Sequence, residues 1–436
     1  MFNTLAELNK NTNFADIFKS AKMRTVIYNQ RKERDNLLAQ PYLSRHTEYA
    51  LDVLLQNHNI KLITGPRRVG KSTQALLMLK GKNFAYLNFD DNKLLDLWDE
   101  DLVMSILDEA YPDYEYLLLD ELQNIKGWDV WVSKLYRRGV NMVITGSNAN
   151  MLSGEMATLL TGRYLEVKML PFSMEETMEW NKIDVHTMRE EQKPQFQSIL
   201  HEYLLQGGYP ETVATRSITQ SYLSTLFDSI IYKDIVKRHN VRNITDLNNV
   251  ASFLLANFCN TLSYNDVCDD LGLSSVSTTK KFMEYLHEPF LFYYLPRYNN
   301  KLKLMKKAPQ KVYVVDNGFV TSHAFNLSEN LGRLLENQVF IELLRKGYDT
   351  ENTLFYYRSR NDKETDFVLR RGTKVERLIQ VCYDLSNEKT LKREVSSLIE
   401  CAGELHCNDL TIVTFDDERT IQQGDCTIHV IPINKL

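Results

Sequence analysis

From residue 60 onward the chain alternates short apolar runs with amphipathic stretches. The runs are IKLIT at 60–64, FAYLNF at 84–89, YEYLLLD at 114–120, NMVITG at 141–146 and YLEVKML at 164–170. Apolar runs of this length separated by helical patterns predict a parallel sheet with helical crossovers. The fold class that follows is α/β for this part of the chain. Upstream, the first fifty residues read as helical and polar, passing through RKERDNLL and Arg45 to the helical pattern HTEYALDVLLQ. After Pro171 the strand pattern stops. Residues 172–260 read as helical, broken at Gly207-Gly208 ahead of Tyr209-Pro210-Glu211.

A different rhythm begins at 261. TLSYNDVCDDLGLS predicts a helix and a turn at Gly272, and SSVSTTKKFMEYLHE a second helix capped by Ser274 or Ser275. FLFYYLPRYN and QKVYVVD then read as two strands joined by a lysine-rich connection, the wing of a winged helix. The last part opens with the helical pattern GRLLENQVFIELLRKG. Strands follow at LFYYR, TDFVLRR, RLIQVCYDL and DLTIVTF, with the helix TLKREVSSLIECAG before the last of them. The pattern thus divides the chain into a helical lead-in at 1–45, an α/β core at 46–172, a helical lid or connector at 173–260, a winged helix at 261–325 and a C-terminal α/β domain at 326–436.

Composition narrows the class without naming it. A chain of 436 residues can bury two or three cores. With 43% hydrophobic and 25% charged residues the balance is that of a soluble protein. The net charge of −5 means that affinity for nucleic acid has to come from a local patch. The N-terminus lacks an apolar signal region, and no run approaches the roughly 18 residues of a membrane span. Six cysteines without a CxxC pair read as reduced thiols. A cytoplasmic protein with no membrane partner is the expectation.

The chemistry is densest at 65–72, GPRRVGKS, which follows the strand pattern IKLIT and opens the helical pattern STQALLMLK. That context marks a Walker A loop. Gly65 and Gly70 let backbone N–H groups wrap phosphates, and the following helix N-terminus adds partial positive charge. Lys71 would reach the β- and γ-phosphates and Ser72 would hold Mg²⁺. The nucleotide site therefore comprises Gly65, Pro66, Arg67, Arg68, Val69, Gly70, Lys71, Ser72 and Thr73. Arg67 and Arg68 either assist with phosphate or are solvated.

Downstream, YLLLDEL ends a buried strand with Asp120 and Glu121. In a Walker B reading, Asp120 holds Mg²⁺ through water and Glu121 polarises the attacking water; the alternative is an acidic cap on the next helix. TGSNAN ends the following strand, where Thr145, Ser147 or Asn148 could orient the water, Asn148 being the choice here; the alternative is a simple turn residue. Arg163 precedes the fifth strand. It is either a finger for a neighbouring subunit's γ-phosphate or a helix-end arginine.

YLSRH, GPRRVGKS, YLLLDELQ, ITGSNANML, LTGRY, LPFS and GGYPE, in this order, resemble the bacterial and archaeal AAA+-type ATPases that carry a C-terminal domain of unknown function. The resemblance runs from about residue 40 to 400. It implies an AAA+-like ATPase core using ATP and Mg²⁺, a winged-helix middle and a C-terminal domain akin to the PD-(D/E)XK nucleases. Lys71, Ser72, Asp120, Glu121 and Arg163 match the ATPase positions, and a homo-oligomer is implied. Nucleases of this fold bind metal with an acid on a helix, an Asp on one strand and an acid-x-Lys on the next. Glu336 and Asp366 match the first two. The third position departs from the pattern: Gln380 and Cys382 stand where an acid and a lysine belong. An amide is a poor partner for a hard cation, so the expected outcome is a degenerate site that does not cut. An active nuclease would need its lysine from elsewhere, for example Lys374.

Six basic residues and no acid lie between Arg297 and Lys311: Arg297, Lys301, Lys303, Lys306, Lys307 and Lys311. With Lys280 and Lys281 in the second helix they suggest phosphate contact; Lys303, Lys306 and Lys307 join those two as the DNA-contact candidates. The function expected is Mg²⁺-dependent ATP hydrolysis coupled to a winged-helix and nuclease-like half acting on nucleic acid. Two alternatives stay open: a nucleotide-regulated protein–protein scaffold, and an active ATP-dependent nuclease.

Overall fold

The computed structural model describes residues 2–47, 51–152, 160–305, 307–323 and 331–436. They form two compact units, Met1–Met169 and Leu170–Leu436.

The first unit is built on five parallel strands: β1 Ile60–Thr64, β2 Phe84–Asn88, β3 Tyr116–Asp120, β4 Asn141–Gly146 and β5 Tyr164–Lys168. Their spatial order is β2-β3-β4-β1-β5. β1 is buried along its whole length, as expected of a parallel strand covered by helices on both faces. The register sets Thr64 beside Gly146 and Asn88 beside Asp120, so the carboxyl ends of β1, β2, β3 and β4 emerge along one edge. That edge is where a parallel α/β sheet offers its loops to a ligand.

The N-terminal helix Phe2–Leu38 is part of this unit. Met23, Val26, Ile27 and Gln30 are buried, a spacing that lines one helix face. Gln30 clasps the backbone of the edge strand β2, donating to the Asn88 carbonyl and accepting from the Asn88 N–H at 3.1 and 3.0 Å. The Arg34 guanidinium lies 4.8 Å from the ring centroids of both Phe84 and Tyr111. An edge strand that sequence alone leaves open is covered in this way.

The second unit starts with helices between Met174 and Ala256. A small antiparallel sheet follows, β6 Thr261–Leu262, β7 Phe292–Leu295 and β8 Gln310–Val314, in the order β6-β8-β7. Between β6 and β7 stand the helices Tyr264–Asp270 and Val276–His287. Ser263 caps the first and Ser275 the second, each accepting from a backbone N–H three residues on. A six-stranded mixed sheet completes the chain: β9 Leu354–Arg358, β10 Glu364–Arg371, β11 Lys374–Val381, β12 Leu410–Thr414, β13 Arg419–Gln423 and β14 Cys426–Pro432. The order is β13-β14-β12-β11-β10-β9, with the helix Glu388–Leu405 between β11 and β12.

The LPFS and GGYPE motifs meet in this unit. The Phe172 N–H donates to the Gly208 carbonyl at 2.6 Å, and Tyr203 donates its hydroxyl to the Phe172 carbonyl at 2.9 Å. The Gly208 N–H donates to Asp316 at 2.8 Å. A Cβ on Gly207 would stand 1.7 Å from an Asp316 oxygen, and one on Gly208 2.2 Å from the Phe172 carbonyl oxygen. The Gly-Gly pair is thus a contact point for a buried carboxylate, whose pKa burial pushes up to about 6.

Candidate functional site

The loop after β1 turns where only glycine fits. Gly65 holds φ at 147°, and a Cβ there would stand 2.0 Å from the Met169 carbonyl oxygen. Gly70, with φ 93°, leads into the helix Lys71–Met78. Arg68 adopts a left-handed φ of 68° without being glycine, a strain that marks a constrained loop. Arg45 reaches this loop from outside the sheet, its Nη1 donating to the Val69 carbonyl at 2.7 Å. Arg67 lies 3.6 Å from Asp90.

Lys71, only 3% exposed, donates from Nζ to the Pro66 carbonyl at 2.9 Å and lies 3.5 Å from Glu121 Oε1. Ser72 donates its hydroxyl to Asp120 Oδ1 at 2.7 Å. Thr145 donates to the same oxygen at 2.5 Å while accepting from the Glu121 N–H at 2.9 Å. Ser147 donates to Glu121 Oε2 at 2.9 Å, and Gln123 also bonds Glu121. Glu121 itself holds a left-handed φ of 54° just past the strand end. Burial, with Glu121 as neighbour, raises the Asp120 pKa to about 6. Burial works the same way on Glu121, but Lys71, Gln123, Arg67 and Ser147 outweigh it and hold its pKa below the usual value.

Lys71, Ser72, Asp120 and Glu121 therefore converge from the ends of β1 and β3, as their sequence positions require. The residues fit a nucleotide–Mg²⁺ group: Ser72 and Asp120 present oxygens within one hydrogen bond of each other, and a cation stands beside them. Among the polar residues after β4, Thr145 and Ser147 bond the two acids through their side chains. Asn148 accepts from the Met151 N–H through its carbonyl. Arg163 precedes β5 and therefore stands at the amino edge of the sheet, opposite the loop; its carbonyl accepts from the Ile60 N–H at 2.8 Å. Its guanidinium lies 5.6 Å from the Tyr136 ring centroid and 3.4 Å from the Ser133 hydroxyl.

A second carboxylate cluster lies in the C-terminal half. Glu336 stands on the helix Leu331–Arg345, which Asn337 pins to β8 by bonding both the N–H and the carbonyl of Val314 at 2.8 and 2.9 Å. Asp366 stands on β10 and accepts from the Val381 N–H at 2.9 Å. Lys311, on β8 and 3% exposed, lies between them: its Nζ is 3.0 Å from Glu336, 2.8 Å from Asp366 and 2.8 Å from Glu364. Tyr313 donates to Glu336 at 2.7 Å. Burial, together with Asp366 and against the pull of Lys311, raises the Glu336 pKa to about 7.

The register of β10 against β11 sets Asp366 opposite Gln380, on one face of the sheet. Gln380 donates to Glu394 at 2.9 Å, while its Oε1, buried, has no partner among the described residues. Cys382 donates its thiol to the Asp384 carbonyl at 3.2 Å. Lys374 is exposed, opposite Arg371 at the far end of the β10–β11 hairpin, roughly 16 Å along the strand from Asp366.

The expected basic stripe is corrected here. Lys311 is buried among carboxylates, and Arg297 donates to the Arg358 carbonyl at 2.6 Å. Lys280, Lys281, Lys301, Lys303 and Lys307 are exposed, with Lys280 3.7 Å from Glu284. Lys306 lies outside the described residues. A signal for Lys311 was in the sequence: period two in QKVYVVD sets Lys311, Tyr313 and Val315 on one face of an otherwise apolar strand.

Comparison with known proteins supports a P-loop ATPase-like core. A family model described as an AAA domain matches residues 57–178. Two models described as domains of unknown function, DUF8612 and DUF4143, match 197–330 and 331–436. An uncharacterized protein of Methanocaldococcus jannaschii is 31% identical over 403 residues, spanning 88% of this chain and 89% of its own. The chain belongs to this family of AAA-type P-loop ATPases. A second member, an uncharacterized protein of Haemophilus influenzae, is 32% identical over 371 residues, spanning 81% of this chain and 87% of its own. Among solved structures, a Walker-type ATPase of Pyrococcus abyssi is similar at 14% identity and a TM-score of 0.43, covering 66% of this chain and 99% of its own. RuvB of Thermotoga maritima, as a point mutant, is similar at 14% identity and a TM-score of 0.30, covering 54% and 85%. Among the described residues no helix is long and apolar enough to cross a membrane.

Proposed function

We propose that the protein is an ATP phosphohydrolase that works with Mg²⁺ and couples turnover to its C-terminal half on nucleic acid. The observation that carries the catalytic part is the convergence of Lys71, Ser72, Asp120 and Glu121 within hydrogen-bond or ion-pair distance. Lys71 binds the phosphates, exchanging its contact with the Pro66 carbonyl for phosphate oxygens. Ser72 and Asp120 hold the metal, which supplies neutralisation of charge on the β- and γ-phosphates. Glu121, kept ionised by Lys71 and oriented by Ser147 and Gln123, accepts hydrogen bonding from the attacking water. Asn148 orients that water, and Arg163 serves a neighbouring subunit in a homo-oligomer.

The nucleic-acid part is supported by exposed Lys280, Lys281, Lys303 and Lys307 on a module whose strand order, β6-β8-β7 around a helix pair, suits a winged helix. Glu336 on its helix, with Asp366 and Gln380 on the mixed sheet, suits a degenerate nuclease-like domain that binds without cutting. The rival is a nucleotide-regulated protein scaffold.

ATP turnover measured with and without DNA and RNA separates the two, since the scaffold reading predicts no stimulation. Glu121→Gln should retain nucleotide and slow hydrolysis by two to four orders of magnitude. Lys71→Ala should instead lose nucleotide binding. Normal turnover by Glu121→Gln removes Glu121 from its role.

A further inference from the structure

Lys311 is held where a metal-binding carboxylate site would need its cation. Three oxygens, one from the Leu331–Arg345 helix and two from β10, converge on its Nζ at 2.8–3.0 Å. Hard divalent cations sit about 2.0–2.6 Å from such oxygens, so the ammonium and a metal compete for one space. Nor is the lysine on a mobile connection. Its backbone is paired in the middle strand of the small sheet, opposite Thr261 on one side and Leu295 on the other. The neighbouring Gln380 Oε1, on the Asp366 face of the sheet and 7% exposed as a residue, has no donor among the described residues. The residues present therefore do not fit a bound metal while β8 is in place. The acids are matched by a cation that the chain itself supplies.

We infer that Lys311 is a resident counter-ion that closes the Glu336–Glu364–Asp366 site to divalent metal, and that its removal opens the site to a hard cation. This rests on the reading of Glu336, Asp366 and Gln380 as a degenerate metal centre, and it gives that centre a cause for inactivity other than Gln380 and Cys382. One ammonium among three carboxylates also explains why the lysine tolerates burial: without them its desolvation would be uncompensated.

The test uses the full chain without nucleotide. Mn²⁺ binding is measured by electron paramagnetic resonance or calorimetry for wild type and Lys311→Met, whose difference cancels any metal taken by the nucleotide loop. The expected result is one additional Mn²⁺ in Lys311→Met, lost again when Asp366→Asn is added. Saturating Mn²⁺ should raise the melting temperature of Lys311→Met by roughly 5 °C and leave wild type unmoved. Lys311→Met/Glu364→Gln, which relieves part of the exposed repulsion, serves if the single variant does not fold. If wild type binds Mn²⁺ through Asp366 as tightly as the variant, Lys311 is no plug and the metal-centre reading stands. If neither form binds it, both fall. Metal-dependent DNA cleavage by wild type that vanishes in Lys311→Met would make the lysine a catalytic cation and overturn the inference as well.

Discussion

Among the described residues two buried lysines face acids, and they do so in opposite ways. Lys71 belongs to a glycine-lined loop, and among the described residues its Nζ meets one carbonyl at 2.9 Å and one carboxylate at 3.5 Å. Lys311 belongs to the middle of a three-stranded sheet and meets three carboxylates at 2.8–3.0 Å. The first cation is loosely held and can turn to an incoming phosphate. The second is saturated. Burial alone does not distinguish them, since both side chains are 3% exposed. What distinguishes them is how many strong partners the fold has already supplied.

Stability should show the difference most strongly. Removing Lys311 leaves three carboxylates facing one another without their cation, and breaking its buried pair with Asp366 costs about 3–5 kcal/mol. Removing Lys71 leaves Glu121 with Ser147 and Gln123, so Lys71→Ala should cost about 1 kcal/mol in the absence of nucleotide. Chemical denaturation of the two alanine variants checks this. Equal losses would erase the distinction drawn between a poised and a saturated lysine.

The two sites were legible to different degrees, for a physical reason. The nucleotide loop is a local device: backbone amides, glycines, lysine and serine act within eight consecutive residues, so their order in sequence is their order in space. Asp120 and Glu121 are next readable because a buried parallel strand must end at the ligand edge. The C-terminal cluster is assembled from β8, β10 and a helix, and the nuclease pattern marks only Glu336 and Asp366 among its members. Charge alone groups Lys311 with the basic connection before it, whereas strand alternation turns it inward beside Tyr313. β13 and β14 were not anticipated, and β13, RTIQQ, is almost wholly exposed and lacks apolar alternation. The covered edge at β2 depends on Gln30 and Arg34, whose partners lie about fifty residues or more away and leave no local trace.

An intermediate effect concerns protons. Asp120 titrates near 6 because burial and Glu121 oppose its ionisation, whereas Glu121 is held below its ordinary range. Below about pH 6 Asp120 binds a proton that Mg²⁺ must displace, so Mg²⁺-nucleotide affinity should fall about tenfold per pH unit there. Glu336, near 7, has the raised pKa that disfavours ionisation in the folded state. Its contribution to stability is fully present below about 4.5 and is lost as pH rises through 7. Glu336→Gln should flatten that part of the melting profile and leave nucleotide affinity unchanged. A nucleotide affinity that ignores pH between 5 and 7 would remove Asp120 from the metal site.

The smallest effect tests whether the nucleotide site is complete within one chain. Lys71, Asp120 and Glu121 gather at the carboxyl edge of the sheet, but Arg163 stands at the amino edge, so it cannot serve its own loop without crossing the length of a strand. Its guanidinium instead lies against Tyr136 and near Ser133, contacts that also suit a purely structural arginine. The two roles differ in what mixing does. If Arg163 completes a neighbour's site, Arg163→Ala and Glu121→Gln subunits are each deficient alone. Combined, they form some interfaces that pair an intact Arg163 with an intact Glu121, and part of the hydrolysis returns. If Arg163 only packs, Arg163→Ala costs about 1 kcal/mol of stability, as expected for a half-buried cation–π contact, and mixing adds nothing beyond the sum of the two preparations. Turnover measured against mixing ratio, with the oligomeric state followed by light scattering, separates the cases. A monomer that hydrolyses ATP at the full rate would leave Arg163 with its packing role alone.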